Sequence, residues 1–170
     1  MTRRGELLDA IVDYLVEHGV GELSLRPLAE ATGTKARLLI YHFGSREKLV
    51  SEAMAVVRRR VQAAFLEEGD VMSFWKWAIH PDNAGYLRLV FEVQGLAMQK
   101  PKTYGAYLRG SLESWIELLE KRIKGRDRRQ TATLVVAVFD GLLLDAYITG
   151  DVKRTTRTLR RFLDDLGEQL

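Results

Sequence analysis

The spacing of apolar residues constrains the fold most, because they recur every three or four positions along nearly the whole chain. That period places them on one face of an α-helix, whereas a half-buried strand alternates at every second residue. Strand-like alternation is weak throughout. The sequence therefore predicts an all-α protein of about nine helices. The first helix is predicted for 3–18, and its apolar face consists of Leu7, Leu8, Ile11, Val12 and Leu15.

Two short helices follow the first one. Ser24 is a good N-cap for the second helix, and Pro27 falls in its first turn, where a missing N–H costs little. Gly33 ends this helix, and Thr34 is expected to cap a third helix that runs to about Tyr41. Two short helices joined by a glycine turn, behind an amphipathic helix, form the pattern of a helix-turn-helix.

The rest of the chain predicts a larger helical bundle. Ser45 caps a fourth helix that continues to about Glu68. The natural seam lies at its start, which predicts a first domain at 1–46 and a second at 47–170. Glycine and proline separate the later helices, which are predicted for 72–79, 84–99, 102–124, 127–149 and 153–168.

Composition argues against several functional classes. The 170 residues include no cysteine, which excludes disulfides and thiolate metal sites. The three histidines, at 18, 42 and 80, lie in separate elements, with no metal-ligand spacing or nucleophile motif. We therefore predict no enzyme, no catalytic residue, no metal and no cofactor.

The most apolar stretch, at 131–150, contains Asp140 and Asp145. These acids favour a core helix that is buried on several sides over a membrane span. The first residues lack the apolar run of a signal peptide. We therefore expect a cytoplasmic protein without a membrane partner.

Positive charge is concentrated in one segment, although the net charge of the chain is only +3. From 31 to 46 there are Lys35, Arg37, His42 and Arg46 but no acidic residue. A plain surface helix usually mixes both signs, so this segment is expected to face a negatively charged partner. For a single residue of the group, a solvated basic face remains the alternative.

The residues that mark this segment most specifically are Ser24, Arg26, Leu28, Ala29, Gly33 and the run LLIYHFGSREKL at 38–49. Their order resembles the TetR family of transcriptional regulators, and FDGLLLDAYITGD at 139–151 resembles the penultimate helix of that family. The resemblance implies an N-terminal three-helix DNA-binding domain and a C-terminal helical effector-binding and dimerisation bundle. It also implies a homodimer, usually a repressor that a small molecule releases from DNA.

The third helix would enter the major groove of double-stranded DNA at an inverted repeat. Leu39, Ile40 and Phe43 are expected to pack inward, although the family usually has tyrosine at the position of Ile40. Arg37 can contact guanine with two hydrogen bonds, and Arg46 lies where a helix N-terminus favours a phosphate. The candidate DNA-binding residues are Ser24, Arg26, Lys35, Ala36, Arg37, Leu38, Tyr41, His42 and Arg46. Leu38 could instead be core or touch a thymine methyl, and His42 could be structural.

Candidate effector residues follow from apolar faces that carry isolated polar groups, whereas the resemblance to the TetR family implies a dimer interface on the last two helices. The candidate effector residues are Phe91, Gln94, Met98, Tyr107, Ser111 and Trp115, with a plain core role open for each. The candidate dimer residues, on the last two helices, are Val138, Leu142, Leu159, Phe162, Leu163 and Leu166. Asp140 and Asp145 are interpreted as rim residues or as partners across the dimer.

The remaining basic runs, at 58–60, 126–129 and 153–161, are interpreted as solvated helix faces. The sequence thus predicts a DNA-binding regulator that acts as a repressor and responds to a small, largely apolar effector. The alternative is a helical protein that binds a small molecule or a protein partner and does not bind DNA.

Overall fold

The computed structural model describes residues 3–21 and 23–167. Over these residues it contains nine α-helices and one turn of 3-10 helix at Pro81–Asn83, without a strand. This confirms the all-α prediction. The helices are α1 (Arg3–His18), α2 (Leu25–Ala31), α3 (Ala36–Phe43), α4 (Arg46–Glu68), α5 (Val71–Ala78), α6 (Ala84–Gln99), α7 (Pro101–Glu120), α8 (Arg128–Thr149) and α9 (Val152–Leu166).

The turn between α2 and α3 differs from the prediction at one residue. Gly33 has a φ of +64°, as a turn after a helix requires. The main-chain N–H of Thr34 donates to the carbonyl of Ala29 at 2.8 Å, so Thr34 still closes the end of α2. The N-cap of α3 is therefore Lys35 and not Thr34.

The chain divides into two compact units. The first unit contains Met1–Ala63 and Ala84–Arg109, and the second contains Ala64–Asn83 and Gly110–Leu170. Helices α1 to α3 thus share a unit with most of α4, with α6 and with the first half of α7. The boundary at residue 46 stays a prediction about the division of function.

In the first unit, α6 packs against the C-terminal end of α1. Gly85 comes so close that a Cβ there would lie 2.5 Å from the main-chain oxygen of Val16. Arg88 donates to that same oxygen at 2.8 Å, and the Glu92 carboxylate accepts the N–H of Val20 at 2.7 Å. These bonds satisfy main-chain groups that the end of α1 leaves without helical partners.

In the second unit, aromatic rings form much of the core. The ring of Phe74 lies with its centroid 5.2–5.8 Å from those of Phe65, Trp77, Trp115 and Phe139. Distances of this size allow favourable stacked and edge-to-face contacts. These rings therefore fix α5 against α7 and α8 within the unit.

Helix α8 is less buried than its sequence predicted. By length and composition, Arg128–Thr149 is the one helix in the described part of the chain that could cross a membrane, and 33% of its most apolar window is buried. The expectation of burial on several sides was therefore wrong. Asp145 forms an ion pair with Arg154 of its own chain at 2.7 Å, which accounts for that acid without a dimer partner.

Candidate nucleic-acid interface

Buried side chains hold α2 and α3 against α1. Leu28 and Leu39 are completely buried, and Ala29 and Phe43 are nearly so. Because Ala29 has only a methyl group, the neighbouring helix can approach closely. Leu39 and Phe43 thus have the packing role that the sequence predicted, and they determine which side of α3 faces solvent.

The opposite side of α3 is exposed and carries no acid. Lys35 and Arg37 are exposed, and 80% of the surface of Tyr41 is exposed. Leu38 is also exposed, which removes the core alternative for this residue. The resulting surface combines two cations, a phenol and an aliphatic side chain, which suit phosphates, base edges and a thymine methyl.

Ile40 does not pack inward as expected, because 37% of its surface is exposed. One residue advances an α-helix by about 100°, so Ile40 is turned away from the buried side that holds Leu39. Its aliphatic side chain lies instead at the edge of the exposed surface of α3. The tyrosine usual in the family would add a hydroxyl at that edge.

Ser24, Arg26, Ala36 and His42 flank this surface. Ser24 is the N-cap of α2, in extended backbone, and its side chain makes no capping hydrogen bond. Arg26 pairs with Glu30 at 3.3 Å on the surface, where such pairs contribute little. Ala36 and His42 are half-buried, and the imidazole ring of His42 lies edge-on to Tyr41 with centroids 5.3 Å apart.

Arg46 has a structural role that the sequence did not reveal. Its Nε–H donates to the main-chain oxygen of Leu23 at 3.0 Å, and an Nη–H donates to that of Val20 at 3.2 Å. The guanidinium thus holds the segment between α1 and α2 against the start of α4. Burial raises the pKa of the Tyr104 hydroxyl on α7, and nearby Arg46 opposes that rise.

Arg4 also supports the interface, and sequence reasoning missed it. Its guanidinium lies over the ring of Phe43 at 4.7 Å and pairs with Glu52 at 2.6 Å. A cation over an aromatic face is attracted by the ring quadrupole. Arg4 of α1 therefore holds the C-terminal end of α3 in place. No local pattern in the sequence could indicate this contact.

The six candidate effector residues do not share one environment. Phe91, Gln94 and Tyr107 are half-buried in the first unit, and Tyr107 donates its hydroxyl to the Met54 main-chain oxygen at 3.0 Å. Met98, also in that unit, is 77% exposed. The other two belong to the second unit, where Ser111 is half-buried and Trp115 is part of the aromatic core described above. The structure thus brings Tyr107 against α4 and leaves Met98 on the surface.

The dimer candidates need one correction. Leu159 is completely buried within the single chain, so it has no surface to offer to a partner. Val138, Leu142, Phe162, Leu163 and Leu166 are half-buried. The sequence analysis missed a more exposed row on α8 at spacings of 3, 4, 3 and 4, which we call the α8 stripe: Leu134, Ala137, Gly141, Leu144 and Ile148.

The α8 stripe is apolar along its whole length. Ile148 is 74% exposed, and Leu134 and Leu144 are nearly half exposed. A Cβ added to Gly141, at the centre, would meet no atom within 4 Å. Ala137 and Gly141 make this part of the surface low, so another helix could approach closely. An exposed apolar row of this kind marks an interaction surface.

The described residues contain no group of three or more histidine, aspartate and glutamate side chains able to hold a metal ion. The acid-free surface of α3 combines the cations of Lys35 and Arg37 with the phenol of Tyr41. Its side chains can donate hydrogen bonds to anionic oxygens and to guanine, which is the chemistry of DNA contact.

Comparison with known proteins agrees with this interpretation. Residues 7–53 match the family described as bacterial regulatory proteins, tetR family. The HTH-type transcriptional regulatory protein RaaS of Mycobacterium tuberculosis is 36% identical over 73 residues, which are 41% of this chain and 34% of that protein. The match thus spans about a third of the length of this relative.

Solved structures resemble nearly the whole chain. A TetR-family transcriptional regulator from Rhodococcus sp. has a TM-score of 0.75 at 20% identity, with 95% of this chain and 96% of that chain covered. The multidrug binding protein EbrR, complexed with imidazole, has a TM-score of 0.70 at 23% identity, with 94% and 88% covered. At these identities the likeness concerns the fold. Regulators of this family are non-enzymatic, in line with the sequence prediction. The N-terminal segment thus matches the TetR family of bacterial regulatory proteins, and the fold resembles solved structures of that family.

Proposed function

We propose that this protein is a cytoplasmic homodimer that binds an inverted repeat in double-stranded DNA and represses transcription until a small, largely apolar effector releases it. The observation that carries the proposal is the exposed, acid-free surface of α3 on a buried support. A recognition helix needs both features, because its side chains must reach base edges while its axis stays fixed.

The exposed Arg37, Leu38 and Tyr41 of α3, and Lys35 at its N-cap, each have a proposed role. Arg37 reads guanine through two hydrogen bonds, which discriminate by about 1–3 kcal/mol. Leu38 contacts a thymine methyl, and Tyr41 donates its hydroxyl to a phosphate. Lys35 reaches a base or a phosphate at the start of the helix. Arg26 and Ser24 add phosphate contacts from α2.

The homodimer is proposed to form through the α8 stripe together with the half-buried apolar residues of α9. The stripe is self-complementary in chemistry, which suits a twofold interface that uses the same patch on both subunits. Two helix-turn-helix units would then read half-sites about 34–36 Å apart, in successive major grooves. This geometry explains why the operator would be an inverted repeat.

The effector is proposed to act through α4, which begins directly after the helix-turn-helix. The half-buried Phe91, Gln94 and Tyr107 are the best supported effector residues, because Tyr107 bonds the main chain of α4. That EbrR was solved with imidazole supports a small-molecule role for this fold. A coupling of about 1–3 kcal/mol between effector and DNA would make a useful switch.

Selection from random duplex DNA tests the proposal. We expect the purified protein to enrich an inverted repeat and to bind it with a Kd of about 10⁻⁸ M or tighter, with steep weakening by salt. Arg37→Ala should relax the base preference. Arg59→Ala, which removes a charge from the exposed side of α4, is the matched control. Weak binding without an enriched sequence would contradict the proposal and favour a helical binding protein without DNA.

A further inference from the structure

Three consecutive arginines on α4 have three different environments. Arg59 is exposed to solvent. Arg60 donates to the carboxylates of Asp9 at 2.9 Å and Asp13 at 2.8 Å. Burial lowers the pKa of Arg60, but its bonds to Asp13 and to the Tyr86 hydroxyl outweigh that effect and raise the pKa overall. Arg58 is neither exposed like Arg59 nor paired with a carboxylate like Arg60. The interpretation of 58–60 as one solvated basic face was therefore wrong.

Arg58 lies in an apolar row of α4. Met54, Arg58 and Val61 follow one another at spacings of 4 and 3, which puts them on one face of the helix. Met54 is 1% exposed and Val61 is 3% exposed. A guanidinium thus occupies a position where the helix pattern calls for an apolar side chain.

The Nε–H of Arg58 is buried and has no hydrogen-bond acceptor. Across residues 3–21 and 23–167 it is the one buried side-chain nitrogen or oxygen in this condition. No carboxylate of the described residues lies within ion-pair distance of Arg58, whereas Arg4, Arg60 and Arg88 each have one. Arg58 as a whole is half-buried, and no carboxylate of the described residues pairs with its charge.

This arrangement costs stability. A buried donor without a partner lowers stability, and more so when the group is charged. A methionine at the same position would continue the apolar row and would avoid that cost. The fold therefore does not need the guanidinium, and an anion that accepts its N–H groups would remove the cost.

We propose that Arg58 is the anchor for the carboxylate of an organic anion whose remaining surface is apolar. The planar guanidinium matches a carboxylate, which can accept two parallel N–H bonds. The apolar part follows from the neighbours of Arg58, since Met54 and Val61 offer only hydrocarbon and a thioether. The hydroxyl of Tyr107 bonds the Met54 carbonyl, which in an α-helix also accepts the main-chain N–H of Arg58, so a second polar side chain meets the same turn.

This inference deepens the proposed function, on which it rests, because it names the chemical class of the effector. Binding at Arg58 would act on α4, in the first unit, which also contains the helix-turn-helix. The anion would bind more tightly to the arrangement of α4 that accommodates it. The anion could shift the equilibrium between two arrangements of α4 only by the difference in its affinity for them.

The test compares ligands that differ only in the charge of the head group. Binding of octanoate, octylammonium and 1-octanol to the full-length protein is measured by calorimetry, with benzoate, benzylammonium and benzyl alcohol as a second set. We expect the carboxylates to bind most tightly. Arg58→Met should weaken carboxylate binding by at least about tenfold, because charge-assisted hydrogen bonds are lost. Arg59→Met is the matched control and should leave it unchanged.

A second readout separates a binding role from a structural one. Without ligand, Arg58→Met should unfold at the same or a higher urea concentration than the wild type, whereas loss of a structural arginine would lower it. Carboxylate binding that does not exceed alcohol binding, or that survives Arg58→Met, would overturn the inference. Affinity for the selected duplex, measured without ligand, judges the DNA-binding proposal separately.

Discussion

For Arg46→Ala, the consequence predicted from the sequence differs from the consequence predicted from the structure. From the sequence, Arg46 is a phosphate contact at the N-terminus of α4. In the structure its guanidinium donates to the main-chain oxygens of Leu23 and Val20 at 3.0 and 3.2 Å. Arg46→Ala should therefore loosen the segment that joins α1 to α2, and with it the position of the helix-turn-helix.

The magnitude follows from these two bonds. A hydrogen bond to a charged group contributes about 1.5–3 kcal/mol to stability. Arg46 is half-buried, so water can partly replace it at the two carbonyls. We expect the free energy of unfolding to fall by about 2–4 kcal/mol. Arg46→Lys keeps the charge but cannot reach both carbonyls in the same way, so it should recover only part of this loss.

Urea unfolding and a salt titration of DNA affinity measure the two roles separately. On the structural account, Arg46→Ala lowers stability and weakens DNA binding while the salt slope stays near that of the wild type. A phosphate contact would instead reduce the slope by about one per subunit. An unchanged unfolding midpoint together with a reduced slope would refute the structural account. Arg37→Ala, at an exposed position, should change stability by less than about 0.5 kcal/mol.

Three further changes test the packing, a cap and the proposed dimer. Gly85→Val should lower the free energy of unfolding by about 1–3 kcal/mol, measured in urea, because its Cβ would collide with the Val16 main chain. A hydrogen bond from the backbone N–H of Ser73 lowers the pKa of Asp70 below 3.8. The stabilisation by the Asp70 carboxylate is therefore present above pH 3.8 and is lost as the pH falls through the lowered pKa. In Asp70→Asn the free energy of unfolding should depend less on pH in that range. Ile148→Glu should yield monomers in sedimentation experiments, while Leu66→Glu, at another exposed apolar residue, should not.

The helices were predictable because their signals are local. Apolar spacing located all nine helices, and Ser24, Gly33 and Ser45 marked boundaries within about a residue of those observed. The Lys48 N–H donates to the Ser45 hydroxyl at 3.1 Å, the capping bond that the sequence suggested. The one-residue error at the N-cap of α3 arose because the closing turn of α2 extends to Thr34.

The surroundings of individual side chains were harder to predict, because they depend on distant segments. Arg46 bonds carbonyls more than twenty residues away, and Arg58, Arg59 and Arg60 look alike in sequence although only Arg60 meets acids of α1. The sequence predicts Ile40 in the core because apolar residues are usually buried, but its position next to the buried Leu39 points it away from the core. These errors concern contacts between elements, which no local pattern records.

The spacing of the apolar residues in α8 distinguishes its exposed apolar face from its buried one in the sequence alone. Leu134, Leu144 and Ile148 fall on one face with Ala137 and Gly141, whereas Val135, Phe139 and Leu143 fall on another, which is buried. A helix with two apolar faces can pack against a different partner on each face. Because the sequence predicts α8 to be buried on several sides, the residues predicted for the dimer were not the most exposed ones.

The most direct test of the central claim, that the exposed surface of α3 reads DNA, is a parallel selection of random duplexes with the wild type and with Arg37→Ala. The account predicts an inverted repeat for the wild type and, for the variant, the same repeat with preference lost at one guanine in each half-site. An identical motif from both proteins would show that Arg37 does not read a base. The absence of any enriched motif from the wild type would contradict the claim itself.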